Sequence, residues 1–149
     1  MPTRGKNING LQVGQKAVIV KTITAADIRQ YSAVTGDTNP LHTDRAFAKT
    51  TPFGEPIAQG MLSASVISAC IGSRLPGPGT IYLSQELRFL RPVKIGDTVI
   101  ARIEVTEIIA EKNRVRLKTT LHNQRGEKVI EGSALVMPPT GDHGKKSRS

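Results

Sequence analysis

The sequence predicts an α+β fold in which an antiparallel sheet wraps around one long central helix. Eighteen consecutive uncharged residues between Glu55 and Arg74 have the length of a buried helix. After residue 79 the pattern changes to alternating apolar and polar residues, as in strands. A length of 149 residues is near the commonest size of one domain. We therefore expect a single domain over residues 1–137 and a flexible basic tail over residues 138–149, which have little to bury.

The first predicted elements are a strand over Lys16–Ile23 and a helix directly after it. Thr24, with Asp27 three positions later, has the spacing of a helix cap. Gly36 is a natural stop for this helix. We expect the helix to direct three side chains inward, namely Ile28, Tyr31 and Val34.

The next segment is predicted to be an ordered loop that leads to the long helix. Pro40 disfavours helical geometry at the preceding residue, so residues 37–42 should be non-helical. A short helical turn is expected over Asp44–Lys49, and the long helix over Ile57–Leu75. The long helix could be taken for a membrane span, but it contains Gln59, Gly60, Gly72 and four Ser, which favours a buried helix of a soluble protein.

Four strands are expected after the break at residues 76–79. Two of them alternate clearly, with an apolar face at 99, 101, 103 and 105 and another at 115, 117, 119 and 121. The last strand is expected from about Lys128 to Met137. The expected order is one strand, helical segments, one long helix and four antiparallel strands. This is the order of elements in the hotdog fold.

Composition excludes several functional classes. The formal net charge is +9, which favours anionic partners, but aromatic residues make up only 3%, which argues against nucleic-acid binding. Cys70 is the single cysteine, so we expect neither a disulfide framework nor a cysteine-based metal site, and a reducing, cytoplasmic location fits best. Residues 1–10 lack the apolar run of a secretory signal. No membrane association is expected.

The candidate acid-base residues lie in the loop over residues 37–42. Asp37 and His42 stand five positions apart on a segment stiffened by Pro40, where they could share one water molecule. Addition of water to a conjugated thioester needs a base, an acid and a donor for the enolate charge. Backbone amides near Gln59 and Gly60, at the start of the long helix, could supply that donor.

Each of these residues also has a purely structural interpretation. An Asp after a glycine stop commonly makes a local turn, and a histidine in a loop is usually only solvated. Gly60 could simply permit close packing. The hydroxyls of Ser63, Ser65 and Ser68 could bond back to the preceding helical turn.

The chain resembles the MaoC-like or R-specific enoyl-CoA hydratases over about residues 14–137. The residues that carry the resemblance are Tyr31–His42, Ile57–Leu62, Pro76–Gly79 and Ser84–Gly96 with Arg91-Pro92-Val93. The resemblance implies a hotdog fold, a homodimer, Asp37 and His42 as the water-holding pair, and a substrate contact from the backbone of Gly60. It also places Ser68 near the site. Gln59 departs from the histidine often found before that glycine, and we interpret it as a spacer and hydrogen bonder.

The predicted function is therefore cofactor-free and metal-free hydration of a trans-2-enoyl thioester to the (R)-3-hydroxyacyl thioester. The carrier is expected to be CoA, with acyl carrier protein as a possible alternative, and the positive charge is consistent with a phosphate-rich carrier. A hotdog thioesterase is a rival, although it needs no acid for the α carbon. A non-catalytic acyl-thioester binding subunit is the second rival, favoured if Gln59 marks a lost activity.

Overall fold

The structure is a computed structural model that describes residues 3–141. Its helices are α1 (Ala25–Thr35), α2 (Arg45–Ala48) and α3 (Gly60–Ser73). Its strands are β1 (Lys16–Thr22), β2 (Ile81–Phe89), β3 (Thr98–Ile109), β4 (Arg114–His122) and β5 (Lys128–Met137). Short 3-10 turns occupy Ile8–Gly10 and Ala110–Lys112.

The five strands form one antiparallel sheet in the order β1-β3-β4-β5-β2. The sheet packs on α3 chiefly through β1, β3 and β4. The four apolar-face residues predicted for each of β3 and β4 are fully buried, at 0% exposure. Val66, Ile67, Cys70 and Ile71 of α3 join them in the core. The predicted α+β hotdog architecture is confirmed.

Local signals around α1 behave as expected, with one exception. The Thr24 hydroxyl accepts from the N–H of Asp27 at 3.1 Å, and the Asp27 carboxylate accepts from the N–H of Thr24 at 2.9 Å. Gly36 closes the helix in the left-handed region, with φ 79°. Ile28 is buried and Tyr31 is partly buried, but Val34 is 85% exposed. The prediction that Val34 faces inward is wrong, because α1 packs through its first turns and its last turn projects into solvent.

The long helix starts later than predicted. Residues 57–59 are extended because Ile57 forms an isolated antiparallel bridge with Lys94, and the N–H of Ala58 donates to the carbonyl of Val93 at 2.7 Å. The helix therefore begins at Gly60 and ends at Ser73, not at Ile57 and Leu75. This pairing with a distant segment holds the start of α3 in place.

The chain remains packed just beyond β5. Pro138 and Pro139 are buried, and the Asn113 side chain donates to the Pro138 carbonyl at 3.1 Å. Residues 142–149 of the expected tail lie outside the described residues, so the tail stays a prediction. No helix within residues 3–141 is long and apolar enough to cross a membrane.

Candidate active site

The loop over residues 37–42 is ordered by its own polar side chains. The N–H of Asn39 donates to Asp37 Oδ1 at 3.1 Å, and the N–H of Leu41 donates to Asn39 Oδ1 at 3.1 Å. Asp37 Oδ2 has no hydrogen-bond partner among the described residues. The local turn expected for Asp37 is thus present, and it leaves one carboxylate oxygen available to a ligand.

His42 is the buried end of this loop, at 9% exposure. Its Nδ1 lies 2.7 Å from the carbonyl oxygen of Ile57. A carbonyl can only accept, so Nδ1 carries the proton and donates to it. In the neutral ring Nε2 is then the unprotonated nitrogen, free to accept a proton from a ligand. This histidine is held in one orientation, unlike a solvated loop histidine.

The start of α3 lies against the ring of Phe89. A Cβ atom at Gly60 would come within 2.9 Å of Phe89 Cε1, so the absence of a side chain allows this close approach. The first amides of a helix have no acceptor within the helix, and they carry its positive dipole end. The N–H of Gly60 can therefore donate to a ligand at this helix start.

One surface cavity brings the predicted residues together. It is lined by Asp37 and His42 from the loop, Gln59 and Gly60 from the start of α3, and three further residues, Tyr31, Met61 and Phe89. Tyr31 and Phe89 lie inside the motifs of the resemblance, but neither was predicted to be a site residue. Their position depends on how α1 and β2 fold around α3.

Gln59 faces α1 beneath this cavity and is 2% exposed. Its Nε2 donates to the carbonyl of Ile28 at 3.1 Å and to Ser32 Oγ at 3.0 Å. Its Oε1 has no partner among the described residues. Gln59 therefore ties the start of α3 to α1, consistent with a hydrogen-bonding spacer.

Replacing Gln59 by Leu should lower the free energy of unfolding by about 1–3 kcal/mol, because one buried and one partly buried hydrogen bond are lost. Ser32→Ala removes one of these partners and should cost about 0.5–1.5 kcal/mol. Urea unfolding monitored by circular dichroism measures both. A Gln59→Leu variant as stable as the wild type would show that the bonds to α1 do not contribute.

The serines at positions 63, 65 and 68 of α3 differ in their surroundings. Ser65 bonds back to the carbonyl of Leu62, as expected for a serine in a helix. Ser63 does not bond back in this way, and its Oγ is buried without a hydrogen-bond partner among the described residues. Ser68 is exposed and lines another cavity, between α3 and β2, that contains neither Asp37 nor His42. The contact of Ser68 with the catalytic site remains a prediction.

Two exposed ion pairs involve the segment that follows β2. Arg91 lies 3.4 Å from Glu127, and Lys94 lies 3.8 Å from Glu55. Burial opposes ionisation of Asp97, but hydrogen bonds from Gln124 and the N–H of Lys94, with the nearby Arg125, lower its pKa below the ordinary value. Asp97 thus remains charged and fixes the turn that follows Arg91-Pro92-Val93.

Within residues 3–141, no three His, Cys, Asp or Glu side chains are grouped to hold a metal ion.

Comparison with protein families finds a match to the MaoC like domain over residues 9–126. The (R)-specific enoyl-CoA hydratase of Rhodospirillum rubrum is 49% identical over 129 residues, which are 87% of this chain and 89% of that protein. The 3-hydroxybutyryl-CoA dehydratase of Methylorubrum extorquens is 46% identical, over 87% of this chain and 82% of that protein.

A solved structure shows the same fold. The unliganded R-hydratase PhaJ1 from Pseudomonas aeruginosa superposes with a TM-score of 0.86 at 50% sequence identity. The superposition covers 91% of this chain and 86% of the other.

Proposed function

The chain belongs to the MaoC-like domain family, and from this we propose that it is an (R)-specific enoyl-CoA hydratase. It interconverts a trans-2-enoyl-CoA and the (R)-3-hydroxyacyl-CoA, and so acts as a hydro-lyase. The observation that carries the proposal is the orientation of His42, whose Nδ1–H donates to Ile57 and whose Nε2 is left for the cavity that Asp37 also lines. The named activities of the relatives support the same reaction.

In the proposed mechanism, Asp37 and His42 hold one water molecule between them. The pair removes a proton from the water as its oxygen bonds to carbon three of the enoyl group. The electrons of the double bond move toward the thioester carbonyl and form an enolate. The pair then returns a proton to carbon two. The two groups act as a coupled unit, so base and acid roles belong to the pair.

The carbonyl oxygen of the substrate is proposed to accept a hydrogen bond from the N–H of Gly60. Negative charge grows on this oxygen in the enolate, and the amide and helix dipole at the start of α3 stabilise it. One well-placed donor of this kind contributes roughly 10²- to 10³-fold to the rate. Phe89, packed on Gly60, covers this position from the side of β2.

CoA is the proposed carrier, with acyl carrier protein as the alternative. The formal net charge of +9 supports a carrier rich in phosphate. Cytoplasmic location is proposed from the single, fully buried Cys70, which suits a reducing compartment.

One assay distinguishes the hydratase from its two rivals. Mixing the protein with crotonyl-CoA should remove the ultraviolet absorbance of the enoyl group until equilibrium is reached, with no release of free CoA thiol. Chiral analysis should identify the product as (R)-3-hydroxybutyryl-CoA. A thiol reagent that reports CoA while the enoyl absorbance persists indicates a thioesterase. Binding with neither signal indicates a non-catalytic module.

We propose that the protein is a homodimer that associates through β2 and the adjacent side of α3. Within the described residues β2 pairs only with β5, so its other edge is open. Ile81, Tyr82 and Leu83 of β2 and Met61 of α3 are large apolar side chains that remain exposed. An unpaired apolar strand edge of this kind is usually covered by another part of a protein, and two copies of the chain can cover each other's edges.

Leu83→Glu should therefore shift the protein from dimer to monomer in sedimentation equilibrium, because a carboxylate would be buried at the contact. Val20→Glu is the matched control, since Val20 is an exposed valine on β1 at the opposite edge of the sheet. It should leave the dimer intact. A wild-type protein that is monomeric and fully active at nanomolar concentration contradicts the proposal.

A further inference from the structure

The face of the sheet opposite α3 carries a cavity of about 400 Å³. It crosses four neighbouring strands, β1, β3, β4 and β5, and shares no residue with the cavity that contains Asp37 and His42. Pockets for small ligands hold roughly 300–1,000 Å³, so its size suits a small molecule. We call it the outer cavity, and its charged lining residues are Lys16, Arg102, Glu104, Lys118 and Lys128.

Positive charge dominates the outer cavity. Four cationic side chains line it, against the single carboxylate of Glu104. In the strand register, Glu104 is flanked by lysines on β1 and β4. Lys128 has an exposed ion pair with Glu131 at 3.8 Å, whereas Arg102 pairs with no carboxylate among the described residues. The charge of these cations is therefore only partly compensated, which favours an anionic ligand.

Arg102 is held beside the cavity by His122 of β4. Its Nη1 lies 3.2 Å from Nδ1 of His122. A guanidinium can only donate, so Nδ1 accepts and the proton of the neutral ring is on Nε2. Burial lowers the pKa of His122, and the positive charges of Arg102 and Lys128 lower it further. The neutral ring thus orients Arg102 and leaves most of its N–H donors to a ligand.

Thr120 adds an unused donor to the same cavity. It is the register partner of Arg102, and it is only 7% exposed. Its hydroxyl has no hydrogen-bond partner among the described residues, unlike that of the adjacent Thr119, which accepts from the Gln85 side chain at 3.0 Å. Because Thr120 lines the cavity, its hydroxyl can donate to an acceptor oxygen of a ligand there.

We propose that the outer cavity binds a small anion with two linked phosphate groups, such as inorganic pyrophosphate or the diphosphate of a nucleotide. Arg102 donates paired N–H bonds to one phosphate, Thr120 donates its hydroxyl, and the lysines neutralise the remaining charge. The volume of the cavity and the spread of its cations over four strands favour two linked anionic groups over one. The site is separate from the hydratase chemistry proposed above.

Isothermal titration calorimetry with inorganic pyrophosphate tests the site, at about 0.15 M salt to screen long-range attraction. Arg102→Gln should weaken binding roughly 10- to 150-fold, the usual contribution of hydrogen bonds from a charged donor. Arg116→Gln is the matched control, because Arg116 is also on the outer face of β4 but pairs with Glu107 and does not line the cavity. It removes the same charge and should change the affinity by about threefold at most.

Thr120 allows a second test that leaves the net charge unchanged. Thr120→Val keeps the shape of the side chain and removes the hydroxyl, so it should weaken pyrophosphate binding roughly 2- to 12-fold. Thr120→Ser keeps the hydroxyl and should bind like the wild type. Thermal unfolding without ligand checks that each variant folds. Pyrophosphate should raise the Tm of the wild type more than that of Arg102→Gln, since a ligand stabilises the folded state it binds.

Two results of the calorimetry overturn the inference. One is a wild-type Kd for pyrophosphate above about 1 mM. The other is an equal loss of affinity in Arg102→Gln and Arg116→Gln, which would mean that net charge alone attracts the anion. Titration with ADP identifies the source of the diphosphate. Binding tighter than that of pyrophosphate assigns the site to a nucleotide, and equal or weaker binding assigns it to an inorganic diphosphate.

Kinetics with crotonyl-CoA separate this site from the substrate site. The KM of Arg102→Gln should stay within about twofold of the wild type, because the two cavities share no residue. A rise in KM that parallels the loss of pyrophosphate affinity overturns the inference, since it would place the phosphates of CoA on this cluster. Specific pyrophosphate binding without hydration of crotonyl-CoA supports the inference and contradicts only the proposed function.

Discussion

Asp37→Asn and His42→Gln should each lower kcat/KM for crotonyl-CoA by roughly 10²- to 10⁴-fold, the usual contribution of a general acid-base group. Asn retains the oxygen that accepts from the N–H of Asn39 but cannot take up a proton. Gln retains an N–H donor for the Ile57 carbonyl but has no titratable nitrogen. Both substitutions therefore remove proton transfer while preserving the known contacts.

Steady-state kinetics measures the loss, and circular dichroism checks the fold. The matched controls are Asp44→Asn, which keeps a helix-capping side chain at the start of α2, and His122→Gln, on the outer face of β4 beside Arg102. Both should retain activity near the wild-type value. The double variant, with both Asp37→Asn and His42→Gln, should be little less active than the less active of the two single variants. The losses of activity are not additive when two groups act as one unit. Near-normal activity in either single variant would remove that residue from the mechanism.

Gly132→Ala should lower the free energy of unfolding by about 3 kcal/mol or more, a large part of the roughly 5–15 kcal/mol typical of a domain. Gly132 lies in β5 and pairs with Leu87 of β2 and Thr119 of β4. A Cβ atom there would lie 1.8 Å from the carbonyl oxygen of Glu86 and 2.8 Å from its carbon. These are backbone atoms, so the clash can be relieved only by moving β2 away from β5.

Guanidinium unfolding measures the loss, with Gly72→Ala as the control. Gly72 lies inside α3, and a Cβ atom there meets nothing within 4 Å. Alanine at Gly72 should stabilise the protein by about 0.5–1 kcal/mol, because it favours the helix over the unfolded chain. A Gly132→Ala variant within about 1 kcal/mol of the wild type would mean that the close strand approach is absent.

Local signals were sufficient to predict most of the fold. The cap at Thr24, the stop at Gly36 and the alternation in β3 and β4 each depend on residues near in sequence. The start of α3 could not be predicted in this way, because it depends on the bridge between Ile57 and Lys94. Val34 was placed wrongly for a related reason, since helical spacing does not reveal which turns of a helix have a partner.

The same distinction between local signals and long-range packing applies to the candidate site. Asp37, His42, Gln59 and Gly60 lie in two short motifs, and the structure places all four around one cavity. Their catalytic and binding roles remain predictions. The involvement of Phe89 and the unpaired hydroxyl of Ser63 could not be inferred from spacing, because both depend on how the end of β2 crosses the start of α3. Of the serines at positions 63, 65 and 68 on this helix, Ser63 is buried with an unpaired hydroxyl, whereas Ser65 and Ser68 border the cavity beside β2.

The one-sided packing of α3 has a consequence for laboratory evolution of the protein. Val66, Ile67, Cys70 and Ile71 hold the helix in the core, whereas Met61, Ser65 and Ser68 border the cavity beside β2. Mutations at Ser65 and Ser68 on the second side are largely uncoupled from folding of the protomer, whereas Met61 also belongs to the proposed dimer contact. A combinatorial library at those three positions should yield mostly folded variants, whereas an equally large library at the core positions should yield few.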